Sequence, residues 1–322
     1  MTPAFDRLLH LGNVVVDIVL DVPALPERGG DVLATGTGMS TGGGFNVMVA
    51  AARQGLRVAY AGAYGTGPFA ALARTALADA RIEVLQQPKA GIDTGFVVAV
   101  VDAGGERTFV TSRGAEATLT TADLDGIHAA PRDAIYLSGY GLVHASNRTA
   151  LVGWLGRLDH GNVVVADPGP LVQLIPPDVV DCVLGRADWW TCNASEAAWL
   201  TGCQDPVTAA RALAQRAGSQ LDRGGPGDAG RTGVLVRTGP AGCLLCRRGA
   251  DPLHVPGFRV AAVDTNGAGD AHTGAFIAAL AAGADEADAA RTANAAAALS
   301  VTRRGPATAP TAAELNRFLA GG

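Results

Sequence analysis

The alternation of short apolar runs with alanine-rich stretches of helical length constrains this 322-residue sequence more than any other feature. Gly, Asp, Asn or Ser follows each apolar run, and these residues favour turns, so the runs are interpreted as separate strands. Strands that alternate with helices are typical of a mostly parallel sheet flanked by helices, which is an α/β fold. The pattern predicts core strands at Leu8–Val16, Val58–Ala61, Ala134–Leu137, Val163–Ala166, Trp189–Cys192 and Val234–Arg237. It predicts helices at Asn46–Gln54, Pro68–Ala80, Asn147–Leu158, Ser195–Leu200, Val207–Arg216, Asp270–Ala282 and Asp285–Thr302, with a last helix from Thr311.

Three strand-like segments break this alternation, because no helix separates them. They are Asp31–Thr37, Gly95–Val101 and Arg107–Thr111, and a Gly-rich turn joins the last two. They predict a small separate sheet, which is either a lid over the core or an ordinary edge hairpin. Because no linker interrupts the chain, we expect one α/β domain over residues 1–322, with a lid from about 31–44 and 95–113.

Composition favours a small-molecule enzyme over a nucleic-acid or membrane protein. The formal net charge is -5 and charged residues make up 17%, so no dense basic patch is expected for nucleic acid or an anionic bilayer. No stretch approaches the roughly 20 apolar residues of a membrane span, and the N-terminus lacks the pattern of a signal peptide. The five cysteines form no disulfide framework, and we therefore expect a cytoplasmic protein.

The segment DTNGAGD, residues 264–270, carries the strongest chemical signal. It follows a strand-like run and leads directly into an apolar helix. Small residues at Gly267, Ala268 and Gly269 let backbone N–H groups approach an anion, at the helix end where donors are unpaired and the dipole is positive. Asp270 would repel a bound phosphate, so its carboxylate is interpreted as a base aimed at an attacking hydroxyl. The alternative is that Asp270 only supplies the favourable charge of a first helical turn.

A second Gly-rich segment, Gly42–Asn46, opens another predicted helix. Consecutive glycines permit positive φ and close contact with a ligand, and an Asn side chain both donates and accepts hydrogen bonds, which suits hydroxyl groups. A Gly-rich turn with an Asn cap is also common for structural reasons, so this segment alone does not distinguish binding from capping.

Together the two segments resemble the paired signatures of the ribokinase/PfkB carbohydrate kinases, and the resemblance extends over nearly the whole chain. GNVVVD, residues 12–17, resembles that family's first strand, which ends in a sugar-binding aspartate. Asn193–Glu196 resembles its NxxE element, associated with magnesium and phosphate. Arg237–Gly242 resembles the turn on the nucleotide side, and Asn294–Gly305 resembles the helix and loop that border adenine and, in many members, a potassium ion.

The resemblance implies a ribokinase-like fold with a Rossmann-like central sheet, and an ATP-dependent kinase that phosphorylates a hydroxyl of a sugar or sugar-like polyol. It implies a catalytic set of Asp270 as base with Gly267, Ala268 and Gly269 as anion hole. It places the acceptor on Asp17, Gly43, Gly44 and Asn46. It places the nucleotide on Asn193, Glu196, Thr238, Gly239, Gly242 and Asn294. Glu196 would hold Mg²⁺ through water, and Asp264 a monovalent cation such as K⁺.

The acceptor itself stays open. A nucleoside kinase and a sugar-phosphate kinase share this fold, whereas a non-catalytic sugar-binding protein would be expected to lack Asp270. The cations available for a phosphorylated acceptor are Lys89, Arg107 and Arg113. The candidates for an apolar slot around a nucleobase are Met39, Phe96 and Phe109. A homodimer that pairs through the lids is also expected, since small sheets leave edges to be covered.

Three other features point away from further chemistry. Cys243 and Cys246 form a CxxC without a second ligand pair, and on a strand their sulfurs would lie on opposite faces, so buried structural cysteines are expected. The polar, Gly-rich stretch Gly218–Gly233 is interpreted as a surface loop. The sequence lacks GxxxxGK[ST] and a complete dinucleotide fingerprint, which excludes a P-loop mechanism and disfavours an oxidoreductase.

Overall fold

The computed structural model describes residues 5–159, 161–219 and 232–321, which form a large sheet with helices on both faces and a smaller second sheet. The strands of the large sheet are β1 (Arg7–Leu11), β4 (Arg57–Tyr60), β5 (Glu83–Val84), β8 (Asp133–Ser138), β9 (Val163–Asp167), β10 (Trp189–Asn193), β11 (Gly233–Arg237), β12 (Gly242–Arg247) and β13 (Leu253–Pro256). Those of the small sheet are β2 (Val14–Asp21), β3 (Gly36–Gly43), β6 (Phe96–Val101) and β7 (Arg107–Ser112). The helices are α1 (Phe45–Arg53), α2 (Pro68–Asp79), α3 (Thr121–Asp125), α4 (Gly139–Val143), α5 (Ala145–Leu155), α6 (Pro177–Arg186), α7 (Ala194–Thr201), α8 (Pro206–Arg216), α9 (Ala268–Ala281), α10 (Glu286–Ser300) and α11 (Ala312–Gly321).

The large sheet has the strand order β13-β12-β11-β10-β9-β8-β1-β4-β5, and its strands are parallel except for β12 and β13. The chain passes from β1 to β4 and β5 on one side, and β8 then pairs with the other side of β1. Such a reversal opens a crevice at the carboxyl ends of the strands, where ligands of open α/β sheets bind. The predicted mostly parallel sheet flanked by helices is confirmed.

Alternating side chains of the strands feed two apolar layers, one on each face of the large sheet. In β1, Leu9 and Leu11 pack into the first layer and Leu8 into the second. Cys246 of β12 is buried in the first layer and Cys243 in the second, as expected for structural cysteines three residues apart on a strand. All five cysteines are free.

The small sheet has the order β3-β2-β6-β7, with β2 and β6 parallel and the other pairs antiparallel. One face of this sheet closes over the crevice, because Asp17, Val97 and Phe109 line the same cavity as Asp270 at the start of α9. The small sheet is therefore a lid and not an edge hairpin.

The predicted single strand Leu8–Val16 is wrong. The structure divides it at Gly12 and Asn13 into β1, in the large sheet, and the start of β2, in the lid. The Gly12 N–H donates to Nδ1 of His10 at 3.1 Å, and a Cβ atom at Gly12 would lie 2.5 Å from the same imidazole. The chain therefore turns here from one sheet into the other, although the apolar pattern runs on through both strands.

The first predicted lid strand, Asp31–Thr37, is displaced along the chain. Residues 31–35 form no strand, and β3 instead spans Gly36–Gly43 and pairs with the whole of β2. The β3 sequence, GTGMSTGG, is poor in β-branched and aromatic residues, so its local strand propensity is weak. Hydrogen bonding to β2 therefore makes this segment a strand. The strand β2 also belongs to the lid, although the predicted lid ranges do not include it.

Two further expectations concern segments outside the central architecture. Of the predicted surface loop Gly218–Gly233, residues 220–231 lie outside the described residues. None of the described helices is both long enough and apolar enough to cross a bilayer.

Candidate active site

The DTNGAGD segment forms the turn that leads into α9. Gly267 precedes the helix with a φ of 73°, a left-handed conformation that glycine adopts without strain. Within the described residues, the backbone N–H groups of Gly267, Gly269 and Asp270 make no hydrogen bond, whereas the N–H of Ala268, also predicted for the anion hole, donates to the carbonyl oxygen of Thr265 at 3.3 Å. The turn lines a cavity of about 480 Å³, which we call the phosphate cavity. Free N–H groups at a helix start are suited to an anion.

Asp270 meets the other Gly-rich segment across the cleft, because Asn46 Nδ2 donates to Asp270 Oδ2 at 3.0 Å. The two residues lie in the first turns of α9 and α1, which approach closely at Gly274. A Cβ atom at Gly274 would lie 2.4 Å from the carbonyl oxygen of Val47. Asn46 is buried and its Oδ1 atom has no partner in the described part of the chain. With Nδ2 bound to Asp270, Oδ1 can accept a hydrogen bond from a ligand hydroxyl.

Asp17 lies on the inner face of the lid, in a cavity of about 1620 Å³ that we call the acceptor cavity. Gly42 makes room for it, because a Cβ atom there would lie 2.1 Å from Asp17 Oδ2. No described group donates a hydrogen bond to the Asp17 carboxylate. Asn13, on the same wall, has a buried Oδ1 atom that no described donor reaches. Asn13, Asp17 and Asn46 thus present three oxygen acceptors without donors to one cavity.

Gly43 and Gly44 form the wall of the acceptor cavity between the lid and α1. Gly43 has a φ of 64°, and the Gly44 N–H donates to the carbonyl oxygen of Asn13 at 2.8 Å. A Cβ atom at Gly44 would lie 2.2 Å from the imidazole of His10. Close packing therefore requires glycine at Gly44, and this packing brings Asn13 to the same wall as Asn46.

The two aspartates of the cleft both ionise at a higher pH than ordinary aspartates. Burial raises the pKa of Asp270 to about 6, although the hydrogen bond from Asn46 acts against this rise. Burial likewise raises the pKa of Asp17 to about 6. At neutral pH the Asp270 carboxylate is still largely ionised, and it is a stronger base than an unperturbed aspartate.

Arg237, the last residue of β11, binds two carboxylates beside the phosphate cavity. Its Nη1 atom donates to Asp167 Oδ2 at 2.9 Å, and to the hydroxyl oxygens of Thr191 at 2.6 Å and Thr273 at 3.2 Å. Its Nη2 atom lies 3.7 Å from Glu196 Oε2. Burial alone would lower the pKa of Arg237, but Asp167 and Glu196 outweigh burial and raise it, so the guanidinium stays charged. Burial and the nearby Asp167 raise the pKa of Glu196.

The phosphate cavity suits a hydrated Mg²⁺ better than a fully protein-bound metal ion. Asp167 and Glu196 line this cavity together with Asp270. A cation between these carboxylates would offset the repulsion between their negative charges. The described residues contain no group of three or more His, Cys, Asp or Glu that could hold a metal ion by themselves. Mg²⁺ keeps several of its waters, so two carboxylates and phosphate oxygens are enough to hold it.

The predicted pair Asn193 and Glu196 forms a capping box at the start of α7. The Asn193 side chain accepts from the Glu196 N–H at 2.8 Å, and Glu196 Oε2 accepts from the Asn193 N–H at 2.7 Å. Glu196 lines the phosphate cavity. Asn193 therefore orients Glu196, and only the glutamate lies in the cavity lining.

Thr238, Gly239 and Gly242 form the tight turn between β11 and β12, outside the lining of both cavities. Gly239 and Gly242 have φ values of 64° and 104°, and a Cβ atom at Gly242 would lie 2.2 Å from the carbonyl oxygen of Val255. The Thr238 hydroxyl donates to the Gly242 carbonyl oxygen at 3.0 Å. The geometry of the turn explains these glycines without a ligand.

Asn294 is buried in α10, and its amide is used within the protein. Its Nδ2 atom donates to the carbonyl oxygens of Val255 and Pro256 at 3.0 and 3.1 Å. Its Oδ1 atom lies 3.1 Å from Nε2 of the buried His272. The side chain thus supports the wall between α9, α10 and β13, and its polar atoms are not free for a nucleotide.

Asp264 joins the lid to the segment 264–270, which we call the phosphate loop. Its Oδ1 atom accepts from Arg107 at 2.5 Å and from the N–H of Asn266 at 2.8 Å, and its Oδ2 atom accepts from the N–H of Gly305 at 3.0 Å. Both oxygens therefore accept hydrogen bonds within the protein, and Arg107 supplies one positive charge to this carboxylate. A monovalent cation on Asp264 stays a prediction.

The side chains that line the two cavities outside the predicted site include Asn13, Tyr140, Asp167 and Arg237. Asp167 and Arg237 end parallel strands, and Tyr140 follows the end of β8. Polar residues at the carboxyl ends of parallel strands converge at one edge of the sheet, so a sequence signal existed for these three. Asn13 has no such signal, because it lies between strands of two different sheets.

Comparison with known proteins extends the resemblance from motifs to the whole chain. The model of the pfkB family of carbohydrate kinases matches residues 6–313. The chain is 30% identical to an uncharacterized sugar kinase, YegV, of Escherichia coli (strain K12). This alignment extends over 309 residues and covers 96% of this chain and 92% of that protein. It is 28% identical to the ribokinase of Haemophilus influenzae, over 97% of this chain and 98% of that protein.

Among solved structures, the ribokinase of Thermotoga maritima superimposes with a TM-score of 0.82 at 26% identity. The match covers 98% of this chain and 100% of that one. It includes the lid as well as the core, which confirms the predicted ribokinase-like fold. Because the family match spans almost the entire chain and not only the loop before α9, this protein belongs to the pfkB family of carbohydrate kinases.

Proposed function

We propose that this ATP-dependent kinase phosphorylates a hydroxyl group of a neutral, polyhydroxylated sugar or polyol. Membership of the family means that the acceptor is sugar-like. The observation that supports a neutral, hydroxyl-rich acceptor is the set of oxygen atoms on Asn13, Asp17 and Asn46 for which the described chain supplies no donor. Buried acceptors without donors are costly, and ligand hydroxyl groups would satisfy them.

Carboxylates on the lid side of the acceptor cavity favour a neutral acceptor over a sugar phosphate. Asp17, Asp21 and Asp102 line this side. Their charges would repel a second phosphate group on the acceptor, and a hydroxyl group would meet no such penalty.

The cations near the lid do not compensate for these carboxylates. Lys89 and Arg107 are each paired with an aspartate, at 2.5 Å in both cases. Arg113 does not belong to the cavity lining. Arg304 does line the cavity, next to Gly305 on the side of the phosphate loop, where it suits ATP better than the acceptor.

In the proposed reaction Asp270 is the general base. The acceptor oxygen attacks the γ-phosphorus in line, its proton passes to the Asp270 carboxylate, and the bond from phosphorus to the β–γ bridging oxygen breaks to release ADP. The free N–H groups of Gly267 and Gly269 stabilise the charge on the phosphoryl oxygens. Asn46 orients the base through its 3.0 Å hydrogen bond and keeps Oδ1 for the acceptor.

Mg²⁺ belongs to this proposal as the partner of ATP. Glu196 and Asp167 would hold it through water molecules. When bound, Mg²⁺ offsets the negative charge of the phosphates. We retain the cytoplasmic location predicted from the sequence as an expectation.

Measuring ADP release with a panel of acceptors tests the proposal. Pentoses, hexoses and polyols are compared with their phosphate esters and with nucleosides, and ATP hydrolysis without acceptor is the blank. We expect at least one neutral sugar or polyol to be phosphorylated with a higher kcat/KM than any sugar phosphate. Activity with phosphate esters alone would contradict the neutral acceptor.

A nucleoside is the second candidate acceptor, because Phe109 lines the acceptor cavity and is 55% exposed. Met39 lines the cavity as well, whereas Phe96 packs against Phe69 with 5.1 Å between ring centroids. An aromatic ring open to a cavity can stack on a base. Phe109→Ala should lower kcat/KM for a nucleoside roughly 5- to 50-fold and leave a free sugar nearly unaffected.

We also propose that two chains pair through the outer faces of their lids. Along β2, β6 and β7, every second side chain faces the acceptor cavity, and the side chains between them form the outer face. Strand pairing places five apolar residues next to one another on this outer face: Ile18, Leu20, Val98, Val100 and Val110. Val110 is 64% exposed. Apolar patches of this kind are usually covered by a partner.

Light scattering should show a dimer that Val110→Lys converts to a monomer, while Val207→Lys, at an exposed apolar residue of α8, leaves the dimer intact. A monomeric wild-type protein at micromolar concentration would contradict the pairing.

A further inference from the structure

We infer that Arg237 is a further catalytic residue, which contacts the transferring phosphoryl group beside the anion hole. The inference rests on the proposed phosphoryl transfer, but the residue belongs to neither Gly-rich segment. Its guanidinium lies against the first turn of α9: a Cβ atom placed on Gly269 would lie 3.4 Å from Nε and 3.6 Å from Nη2 of Arg237. Arg237 also belongs to the lining of the phosphate cavity.

The partners of Arg237 hold one nitrogen and leave the opposite edge open. Nη1 makes all three of its short hydrogen bonds, to Asp167, Thr191 and Thr273. Within the described residues Nε makes none, and Nη2 comes no closer than 3.7 Å to Glu196. The open edge, formed by Nε and Nη2, is the one beside Gly269. A guanidinium that is fixed at one nitrogen and presents two parallel N–H groups matches two oxygens of a phosphoryl group.

Charge in the phosphate cavity explains why a fixed cation is useful there. Asp167, Glu196 and Asp270 contribute carboxylates to the lining, and a triphosphate adds further negative charge. Arg107 lines the same cavity, but its guanidinium is bound to Asp264 at 2.5 Å. Among the arginines of the described lining, Arg237 is therefore the one with an open edge toward the phosphate loop.

The contribution expected from Arg237 is to the transition state. As the bond from the acceptor oxygen to phosphorus forms and the bond to the bridging oxygen of ADP breaks, charge is redistributed over the phosphoryl oxygens. The acceptor proton passes to Asp270, so Arg237 neither gains nor loses a proton. A contact that strengthens only in the transition state raises kcat and changes the KM for ATP little.

Arg237→Gln tests this role. We expect kcat to fall about 10²- to 10³-fold, with less than about a tenfold change in the KM for ATP. The positive charge of Arg237 also lowers the pKa of Asp270, so its loss should move the acid limb of the kcat/KM profile to higher pH. Because this electrostatic shift is expected whatever the role of Arg237, kcat is compared at pH 8, where Asp270 is ionised in both proteins; a merely structural role would leave kcat there near wild type in the folded variant. Arg237→Lys keeps the positive charge but loses the two parallel N–H groups of the guanidinium. We therefore expect an intermediate kcat, at least about tenfold below wild type.

The matched control is Arg247→Gln. Arg247 ends the neighbouring strand β12, forms an ion pair with Glu286 and lies over the ring of Trp189 at 5.7 Å. This variant should be destabilised but should keep kcat and the pH profile. Wild-type kcat in a folded Arg237→Gln or Arg237→Lys protein would overturn the inference, and the lysine variant decides the matter if the glutamine variant does not fold. Failure of the wild-type protein to phosphorylate any acceptor would instead contradict the proposed function.

Discussion

The two ends of the cleft differ in how their polar groups are satisfied. At the phosphate end, Arg237 and Asp167 bind each other, and Glu196 is held in its capping box. At the acceptor end, Asn46 and Asp17 present oxygen atoms that no described donor reaches. The difference indicates that the phosphate end holds its charged side chains with protein partners and leaves N–H donors open for a ligand, whereas the acceptor end leaves oxygen acceptors open for ligand hydroxyl groups.

Removing the base where the two ends meet should have the largest effect. Asp270→Asn should lower kcat about 10²- to 10⁴-fold and keep ATP affinity, because the amide preserves size but cannot take the proton. Its melting temperature should equal or exceed that of wild type, since burial disfavours the ionised carboxylate. The control is Asp288→Asn, in the first turn of α10. Full activity in Asp270→Asn would mean that the carboxylate serves only the helix start.

A change confined to the acceptor end tests whether the two ends act separately. Asp17→Ala removes one of the acceptors and leaves the ligand hydroxyl unpaired, at a cost of about 1–3 kcal/mol. The acceptor KM should therefore rise roughly 5- to 150-fold, while the KM for ATP stays near wild type. Asp21→Ala, at the exposed end of the same strand, should have a smaller effect. An unchanged acceptor KM in Asp17→Ala would remove this residue from the site.

The pH dependence should report the acceptor end. Asp17 and Asp270 both have a pKa raised to about 6, so kcat/KM for the acceptor should fall at least about tenfold per pH unit below that value. Stability should respond in the opposite sense. Because both folded-state pKa values exceed the ordinary 3.8, the stabilisation from protonating these groups is complete below about 3.8 and is lost as pH rises through 6.

Rate profiles from pH 5 to 8 and melting curves over the same range measure both effects. Asp17→Asn should make the acid limb less steep and raise the melting temperature at pH 8 by about 2–4 °C. An acid limb centred near pH 4 would show that Asp270 titrates as an ordinary aspartate, and would contradict its assignment as a buried base.

The ion pair that spans the cleft should have the smallest effect. Arg107→Ala breaks the contact of the lid with Asp264, and because partly exposed pairs contribute about 1 kcal/mol or less, the acceptor KM should rise only about 3- to 5-fold. Hydrogen exchange should show acceptor-induced protection of residues 96–112 in wild type and less of it in this variant. Arg113→Ala is the control. Protection confined to the C-terminal half of the wild-type chain would contradict closure of the lid.

The sequence by itself determined what depends on local pattern. Alternating apolar runs and helices specify the mostly parallel sheet, because side-chain period and turn residues are local properties. The loop Gly267–Asp270 was predictable for the same reason: small residues, a helix start and a carboxylate lie within a few positions of one another. These features also carried the resemblance to the family.

Only the tertiary structure decided which distant groups meet. Asn46 and Asp270 lie 224 residues apart, and their contact depends on how closely α1 and α9 pack. The amide of Asn294 and the carboxylate of Asp264 found partners within the protein, so motif position alone did not show whether they were free. Arg237 acquired its place from strand order, which brings Asp167 and Glu196 beside it. Partners of a buried polar group come from elsewhere in the chain, and local sequence does not encode which of them will be present.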